Sequence, residues 1–370
     1  MAVTDGLTSD TVKARARELG FDVCGVAPAT AFRELRFLRE WLDRGYAGQM
    51  QWLHRTADRR ADVRATLPSA RSVVVVGVVY NVDRPYSTER GDGRVARISR
   101  YAWGADYHDV LGGRLAALRG WMADRAGDAF EAAAYVDTGP VQERVYAQYA
   151  GLGWIGKNTC LINAELGSWM FLGAIVCSAV LTPDRPGTDQ CGTCMLCLEA
   201  CPTGALVEPH VLDATRCLSY LTIELRGAMP DALREAAGAH VFGCDICQDV
   251  CPWNLGPGTG RAVAPEWQPR PGLDGPALVD LWRRTDRSLG DLVRGTPLTR
   301  PRLAGLRRNL AVAMGNSGDA TCRAALDEPI DGPSGDDPNV AEHVAWAKRR
   351  FDARGGAETA RPDPTDRTQP

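Results

Sequence analysis

The chain has 370 residues, enough for two or three domains, and its 45% hydrophobic and 24% charged content is that of a globular protein rather than a disordered or fibrous one. Its 43 basic and 46 acidic side chains leave a net charge of −3, so no global field marks a polyanionic partner. The longest apolar runs, Val73–Val76 extending to Tyr80 and Leu172–Leu181, fall short of the ~18 residues a membrane helix needs, and Met1–Gly20 lacks the apolar core and cleavage site of a secretion signal. A cytoplasmic protein without a membrane partner is expected.

In chain order, residues 9–20 carry a helical pattern that ends at Gly20, and Phe21–Ala27 reads as a short strand. Ala31–Arg44 is helical and closes at Gly45. The β-branched run Ser72–Tyr80, bounded by Pro68 and Asn81-Val-Asp83, predicts a buried strand. Tyr107–Ala126 reads as a helix, and Ala132–Val136 as a strand running into Asp137-Thr-Gly-Pro140. Val141–Ala150 is helical, Gly151–Gly156 is a tight loop, and Leu161–Ile162 and Trp169–Ala179 are strands. This mixture makes the first part an α+β or α/β domain. Beyond a Pro/Gly-rich stretch, Gly256–Gly275, the pattern is helical over Ala277–Arg284, Ser288–Arg294, Leu303–Gly315, Ala320–Leu326 and Val340–Phe351. The segments Arg308–Asn316 and Asp337–Trp346 have the character of paired HEAT-type helices.

Between these parts lie two cysteine runs, Cys191-Gly-Thr-Cys194-Met-Leu-Cys197-Leu-Glu-Ala-Cys201-Pro202 and Cys244-Asp-Ile-Cys247-Gln-Asp-Val-Cys251-Pro252, with Cys217 between them. The first has the C-x2-C-x2-C-x3-C-P spacing of two-cluster ferredoxins, in which the cysteine before proline ligates the other cube. Cys191, Cys194, Cys197 and Cys251 are therefore assigned to one [4Fe–4S] cluster, and Cys201, Cys217, Cys244 and Cys247 to the other. Structural zinc is the alternative, but zinc sites more often show two C-x2-C pairs. Cys24, Cys160, Cys177 and Cys322 read as buried apolar residues. Clusters carry electrons, so the long segment ahead of them is expected to hold the acceptor.

Three segments of that domain stand in order ahead of the cysteine runs: Ile98-Ser-Arg-Tyr101-Ala-Trp-Gly-Ala-Asp106-Tyr-His108, Val136-Asp137-Thr-Gly-Pro140-Val-Gln-Glu-Arg144, and Gly151-Leu-Gly-Trp-Ile-Gly-Lys-Asn158. In this order, over about residues 9–350, the chain resembles the epoxyqueuosine reductases. The resemblance implies reduction of the epoxide of epoxyqueuosine at the wobble position of tRNA to an alkene and water, with a cobalamin and two [4Fe–4S] clusters as cofactors. It implies an α+β fold with a nitroreductase-like cobalamin-binding domain over 1–182 and a ferredoxin-like two-cluster domain over 183–256. A HEAT-like tRNA-binding region over 257–352 and a disordered tail over 353–370 complete the expected organisation. A monomer served by an external low-potential electron donor is expected.

The resemblance further implies that Asp137 is the proton donor. Its position after an apolar strand would desolvate the carboxyl and keep it protonated near neutral pH, although an aspartate at a strand-to-helix turn is more commonly an N-cap. Arg60, Arg100 and Arg144 match places where the family binds cobalamin, and their guanidinium forks suit its phosphate and amide carbonyls. Lys157 and Asn158 follow a glycine-rich loop that would let backbone approach the corrin, and Ser219 is a further contact. The triplet Gly151, Gly153 and Gly156 matches a dinucleotide fingerprint but has no convincing acidic ribose partner. Asp106-x-His108 resembles a cobalt-ligating motif whose glycine is displaced here, so His108 reads as a helix-start or packing residue. Arg300, Arg302, Arg307 and Arg308, and Arg33, Arg36 and Arg39, are the candidate phosphate contacts for tRNA. The rival readings are a cobalamin-dependent reductive dehalogenase and a non-catalytic iron–sulfur electron-transfer module.

Overall fold

In the computed structural model, residues 6–256 and 259–359 are described. They form two compact units. The first comprises the chain up to Thr88, Arg100–Cys217 and Asp245–Pro269; the second comprises Glu89–Ser99, Leu218–Cys244 and the chain from Arg270 onward. The expected domain boundaries near residues 182 and 256 fall within the first unit.

The first unit is built on a four-stranded sheet of β1 (Val23–Pro28), β2 (Ser72–Val79), β3 (Ala132–Tyr135) and β4 (Met170–Cys177). The spatial order is β1-β2-β4-β3 and every pairing is antiparallel. The uninterrupted valines of β2 follow from its place: every residue of the strand is buried, so neither face needs polar side chains. On one face Val74, Val76 and Val78 pack against α1 (Ser9–Glu18) through Val12 and Ala16, and against α2 (Tyr107–Ala126) through Leu111, Leu115, Leu118 and Met122. The spacing of those α2 residues is that of one helical face. On the other face Val73 and Val75 meet Val145, Tyr146 and Ala147 of α3 (Glu143–Tyr149), with Leu35 and Val63. Each valine so enclosed contributes about 2 kcal/mol.

Helix α2 begins where the sequence places it because Asp106 caps it, its carboxylate accepting from the His108 N–H at 3.0 Å. The cap sets His108 in the first helical turn. The stretch Ala31–Arg44 is a 3-10 turn, Arg33–Arg36, followed by a helix, Phe37–Asp43. A helix over Gln51–Ala61, not foreseen above, carries Arg60 at its C-terminal end. The cysteine runs contribute two single-turn helices, α4 (Leu196–Glu199) and α5 (Ile246–Asp249).

The second unit centres on α6 (Arg302–Ser317), which packs against α7 (Pro338–Thr359). Helix α7 extends into the stretch expected to be disordered, because adding residues to an established helix costs far less than nucleating one. The remainder of that expected tail, 360–370, lies outside the described residues. In this unit Arg307 and Arg308 are buried, which removes them as tRNA contacts. Arg307 donates to the carbonyls of Trp282 and Arg284 and pairs with Asp286 at 3.3 Å. Arg308 donates to the carbonyls of Leu221 at 2.6 Å, Leu225 at 2.8 Å and Gly227 at 2.7 Å. Asn309 donates to Thr222 and Val241, each at 2.8 Å. These side chains satisfy carbonyls in loops and at the ends of short helices and a strand.

Replacing Arg308 by Met strands those carbonyls without a donor. The variant is expected to lose about 3 kcal/mol of stability, seen as a lower urea midpoint of the second unit's transition with an unchanged slope.

Candidate active site and cluster ligands

Beyond β3 the chain reverses in three residues. The Thr138 N–H donates to the Val136 carbonyl at 2.5 Å, and Asp137 stands at the apex with φ 56°. This is a γ-turn with its central residue in the left-handed region, a conformation that non-glycine residues rarely adopt. The turn folds tightly over Tyr135: a Cβ at Gly139 would lie 2.3 Å from the Tyr135 ring, so only glycine fits there. The strained turn presents the Asp137 carboxylate outward, 64% exposed.

Facing it is the first turn of α2. The His108 Nε2 lies 3.4 Å from Asp137 Oδ2, and the His108 Nδ1 lies 2.8 Å from Asp106 Oδ1. Asp106 thus caps the helix and orients the imidazole with the same carboxylate. Tyr107 stacks on Phe171 at 4.5 Å, tilts 30° against the His108 ring at 4.1 Å, and helps to lower the pKa of the neighbouring Asp137. Desolvation alone would lower the His108 pKa, but the two carboxylates outweigh it and raise the value to about 9. Crowding pushes the Asp137 carboxyl up, yet the bond and charge of His108, with Tyr107 and Arg144, leave it below its ordinary value. The pairing is the weightier effect because most of the carboxylate remains open to water. The expectation of a protonated Asp137 is therefore corrected: near neutral pH the pair is an imidazolium and a carboxylate sharing one proton.

Two nearby residues were not singled out from the sequence. The Asp106 carboxylate is one. The other is Glu143, at the start of α3, whose Oε1 is buried with no hydrogen-bond partner among the described residues. Burial pushes its carboxyl up to about 8, and Asp137 adds to the shift. An unpaired buried oxygen signals a polar partner yet to come. Only its sequence neighbours, Pro140 and Arg144, could have drawn attention to it.

The arginines separate by environment. Arg100 is 3% exposed and donates to the Asn81 side chain and to the carbonyls of Val82, Arg84 and Pro85, while its guanidinium lies over the rings of Tyr86, Trp103 and Trp169. Arg60 is buried and donates to the Val141 carbonyl at 3.1 Å, propping the turn that carries Asp137. The Arg100 fork is taken up by protein, whereas Arg60 uses Nε, to the Thr56 hydroxyl at 3.0 Å, and one terminal nitrogen. Arg144 is exposed, its charge reaches Asp137, and one nitrogen donates to the Thr159 carbonyl at 2.5 Å. Arg144 and Glu143 are polar groups beside Asp137. Ser219 lies in the second unit, in a helix over Leu218–Ile223.

The glycine loop has a local reason. A Cβ at Gly153 would lie 2.0 Å from the Ile162 carbonyl oxygen, so this glycine serves the close pairing of Trp154–Ile155 with Leu161–Ile162. The residues after it reach the cysteine runs. The Lys157 ammonium donates to the carbonyls of Gly192 at 2.7 Å and Cys194 at 2.9 Å, and Asn158 donates to the Cys247 carbonyl at 3.2 Å. Lys157 and Asn158, the side chains expected at the corrin, hold the cluster loops through these bonds.

Cys191, Cys194, Cys197 and Cys251 lie close enough to oppose each other's ionisation: burial, then Cys191 and Cys197, push the Cys251 thiol up to about 11. Cys251 and Cys191 share an apolar pocket with Trp154, Ile162 and Trp253. A set of four soft sulfur donors in an apolar setting suits a [4Fe–4S] cube. In the other set, Cys201 Sγ accepts from the Ala205 N–H at 3.2 Å. Cys177 and Cys322 are buried as expected, and burial raises the Cys24 thiol to about 12. Cys160 sits beside a cluster run: its N–H donates to Asn158 Oδ1 at 3.2 Å, and the same Asn158 donates to the Cys247 carbonyl.

Residues 190–254 match the family described as 4Fe-4S double cluster binding domain, and residues 60–138 match the family described as Epoxyqueuosine reductase QueG, DUF1730. The epoxyqueuosine reductase of Gloeobacter violaceus is 45% identical over 323 residues, 86% of this chain and 99% of that protein. The chain belongs to the epoxyqueuosine reductase family. The Escherichia coli epoxyqueuosine reductase is 36% identical over 91% of this chain and 87% of its own. A crystal structure of epoxyqueuosine reductase with an epoxyqueuosine-modified tRNA-Tyr stem loop superposes with TM-score 0.82 at 29% identity, covering 96% of this chain and 94% of that one. The Bacillus subtilis epoxyqueuosine reductase, with its catalytic aspartate loop swung out of the active site, gives TM-score 0.81 at 28% identity over 96% and 95% of the two chains. The cysteine runs of this chain form a double [4Fe–4S] domain.

The ligand pairing is open to test. Cys251→Ser is expected to weaken or abolish the cluster of Cys191, Cys194 and Cys197, leaving the EPR signal of the other cluster in the reduced protein. Loss of the other signal alone would reverse the pairing.

Proposed function

We propose that this chain reduces epoxyqueuosine in tRNA to queuosine, with Asp137 and His108 delivering the proton that the opened epoxide requires. The reaction consumes two electrons and two protons, breaks both C–O bonds of the epoxide, and yields an alkene and water. A cobalamin, when bound, supplies nucleophilic two-electron reduction at the epoxide carbon, and the two [4Fe–4S] clusters feed it single electrons from an external donor.

The remaining work belongs to the side chains. Opening the ring leaves an alkoxide, a far stronger base than a carboxylate, so any acid in reach protonates it. The His108 imidazolium passes its Nε2 proton to Asp137, and Asp137 passes it on to the alkoxide oxygen. Asp106 stabilises the imidazolium through Nδ1, so the store refills from solvent. Tyr107 helps to keep the carboxylate ionised on its γ-turn. The observation that carries this reading is the His108–Asp137 pair at a strained turn in a chain bearing two cluster runs. A bare electron-transfer module has no use for such a pair. Exposed Arg33, Arg36 and Arg39 on the first unit, and exposed Arg300 and Arg302 on the second, are the residues proposed to meet tRNA phosphates. Arg39 already pairs with Asp58 and Arg300 with Glu224, which tempers what either adds.

Asp137→Ala is expected to keep its clusters and bound cobalamin by visible spectroscopy, yet to slow single-turnover reduction of epoxyqueuosine tRNA roughly 10²–10⁴-fold, measured by mass spectrometry of released nucleosides. Full activity would remove Asp137 from the mechanism. The pH dependence has a definite sign. The group that holds the proton has a pKa raised to about 9, so the donor form is present below that value and is lost as pH rises through it. The single-turnover rate therefore falls above about pH 9, and His108→Gln removes that fall while lowering the plateau. A profile identical in wild type and His108→Gln would exclude the relay.

A further inference from the structure

We propose that Lys157 supplies the counter-charge of the cluster bound by the first cysteine run, raising that cluster's reduction potential without being one of its ligands. The inference rests on the cluster reading given above and adds a cation that the ligand spacing does not contain.

An ammonium has three N–H donors. Those of Lys157 meet the Gly192 carbonyl at 2.7 Å, the Cys194 carbonyl at 2.9 Å and the Met195 Sδ at 3.7 Å. All three acceptors belong to the Cys191–Cys197 run, and all three are neutral. The root of the side chain is held as well as its tip. The Lys157 carbonyl accepts from the His210 N–H at 3.0 Å, and the next residue, buried Asn158, donates to the Cys247 carbonyl at 3.2 Å. Asp189, the carboxylate at the head of the run, is engaged elsewhere. Its Oδ1 accepts from the Cys191 N–H at 2.8 Å, and its Oδ2 lies 3.9 Å from His210 Nε2.

The chain has three lysines, and the other two are paired. Lys13 meets Asp184 at 2.5 Å and Lys348 meets Asp327 at 2.7 Å. Among the described residues Lys157 has no carboxylate partner, although it is half-buried against the run. A charge drawn out of water is costly unless an opposite charge answers it. The group that answers it is the one this run binds. A [4Fe–4S] cube with four thiolates is a dianion when oxidised and a trianion once it has taken up one electron. A fixed cation beside it favours the more negative state, and charge is among the factors that set cluster potential. Solvent at the exposed side of the ammonium weakens the effect without changing its sign. A clamp on the loop needs only hydrogen-bond donors, whereas a counter-charge needs the positive charge, so the two roles part on substitution.

The test is an EPR-monitored redox titration of the anaerobic, cluster-loaded full chain, with iron content measured in parallel and Cys251→Ser used to assign the signals. Lys157→Met and Lys157→Gln are expected to keep both clusters and to displace the midpoint of the first-run cluster to lower potential, by more than any change in the other. Lys157→Arg is expected to stay near wild type, and Lys13→Met, which removes a paired lysine, to move neither midpoint. An unchanged first-run midpoint in Lys157→Met overturns the proposal. So does a wild-type midpoint in Lys157→Gln, which would make the residue a clamp, or loss of a cluster from Lys157→Arg and Lys157→Met alike. A wild-type chain that assembles fewer than two clusters refutes the cluster reading itself and is distinguishable from each of these.

Discussion

Burial of β2 on both faces is the constraint on which the first unit depends. A strand with no polar side must be covered twice, and the covering helices are those that carry the chemistry. Helix α2 lies on one face and brings Asp106, Tyr107 and His108 in its capping turn; α3 lies on the other and brings Glu143 and Arg144. Strand β3, at the sheet edge beside β4, ends at Asp137 between them. Sheet register thus becomes site geometry: Ala132 pairs with Cys177 and Tyr135 with Ala174, so a slip in that pairing would carry Asp137 away from His108.

What could be read from the sequence is what depends on neighbours in sequence. The span of α2 is legible because its cap and its apolar face are both local, and β2 is legible because a β-branched run between turn residues has few alternatives. The cluster cysteines are legible because iron–sulfur cubes impose spacing. The arginines are not. An arginine on a solvated face and one threaded between loop carbonyls look alike in sequence, and the partners of Arg308 lie more than 80 residues away. The same applies to Arg100, whose neighbours are the carbonyls of Val82, Arg84 and Pro85 and three aromatic rings. His108 illustrates the limit most sharply: its second carboxylate comes from a strand end 29 residues on.

The protonation of Asp137 could not be judged from hydrophobic context either. An apolar strand before an aspartate suggests desolvation, but the γ-turn rotates the carboxylate out of the strand's environment and toward an imidazole. Pairing with a cation then overrides burial. In the mechanism proposed, the acid is therefore a pair rather than a single raised carboxyl, with its proton held on the histidine.

Electron and proton delivery meet in one stretch of backbone. Lys157 and Asn158 bind the two cysteine runs, and Arg144 binds Thr159 between them and Cys160 while its charge lies beside Asp137. Reducing an epoxide to an alkene requires that electrons arrive where a proton is ready, since an alkoxide without an acid can close the ring again. A loop that contacts both cluster runs and, through one arginine, the proton donor fixes these two supplies relative to each other. Arg144, Lys157 and Asn158, which the resemblance places at the corrin, also hold protein to protein, and such supporting bonds fix the orientation of side chains around a site.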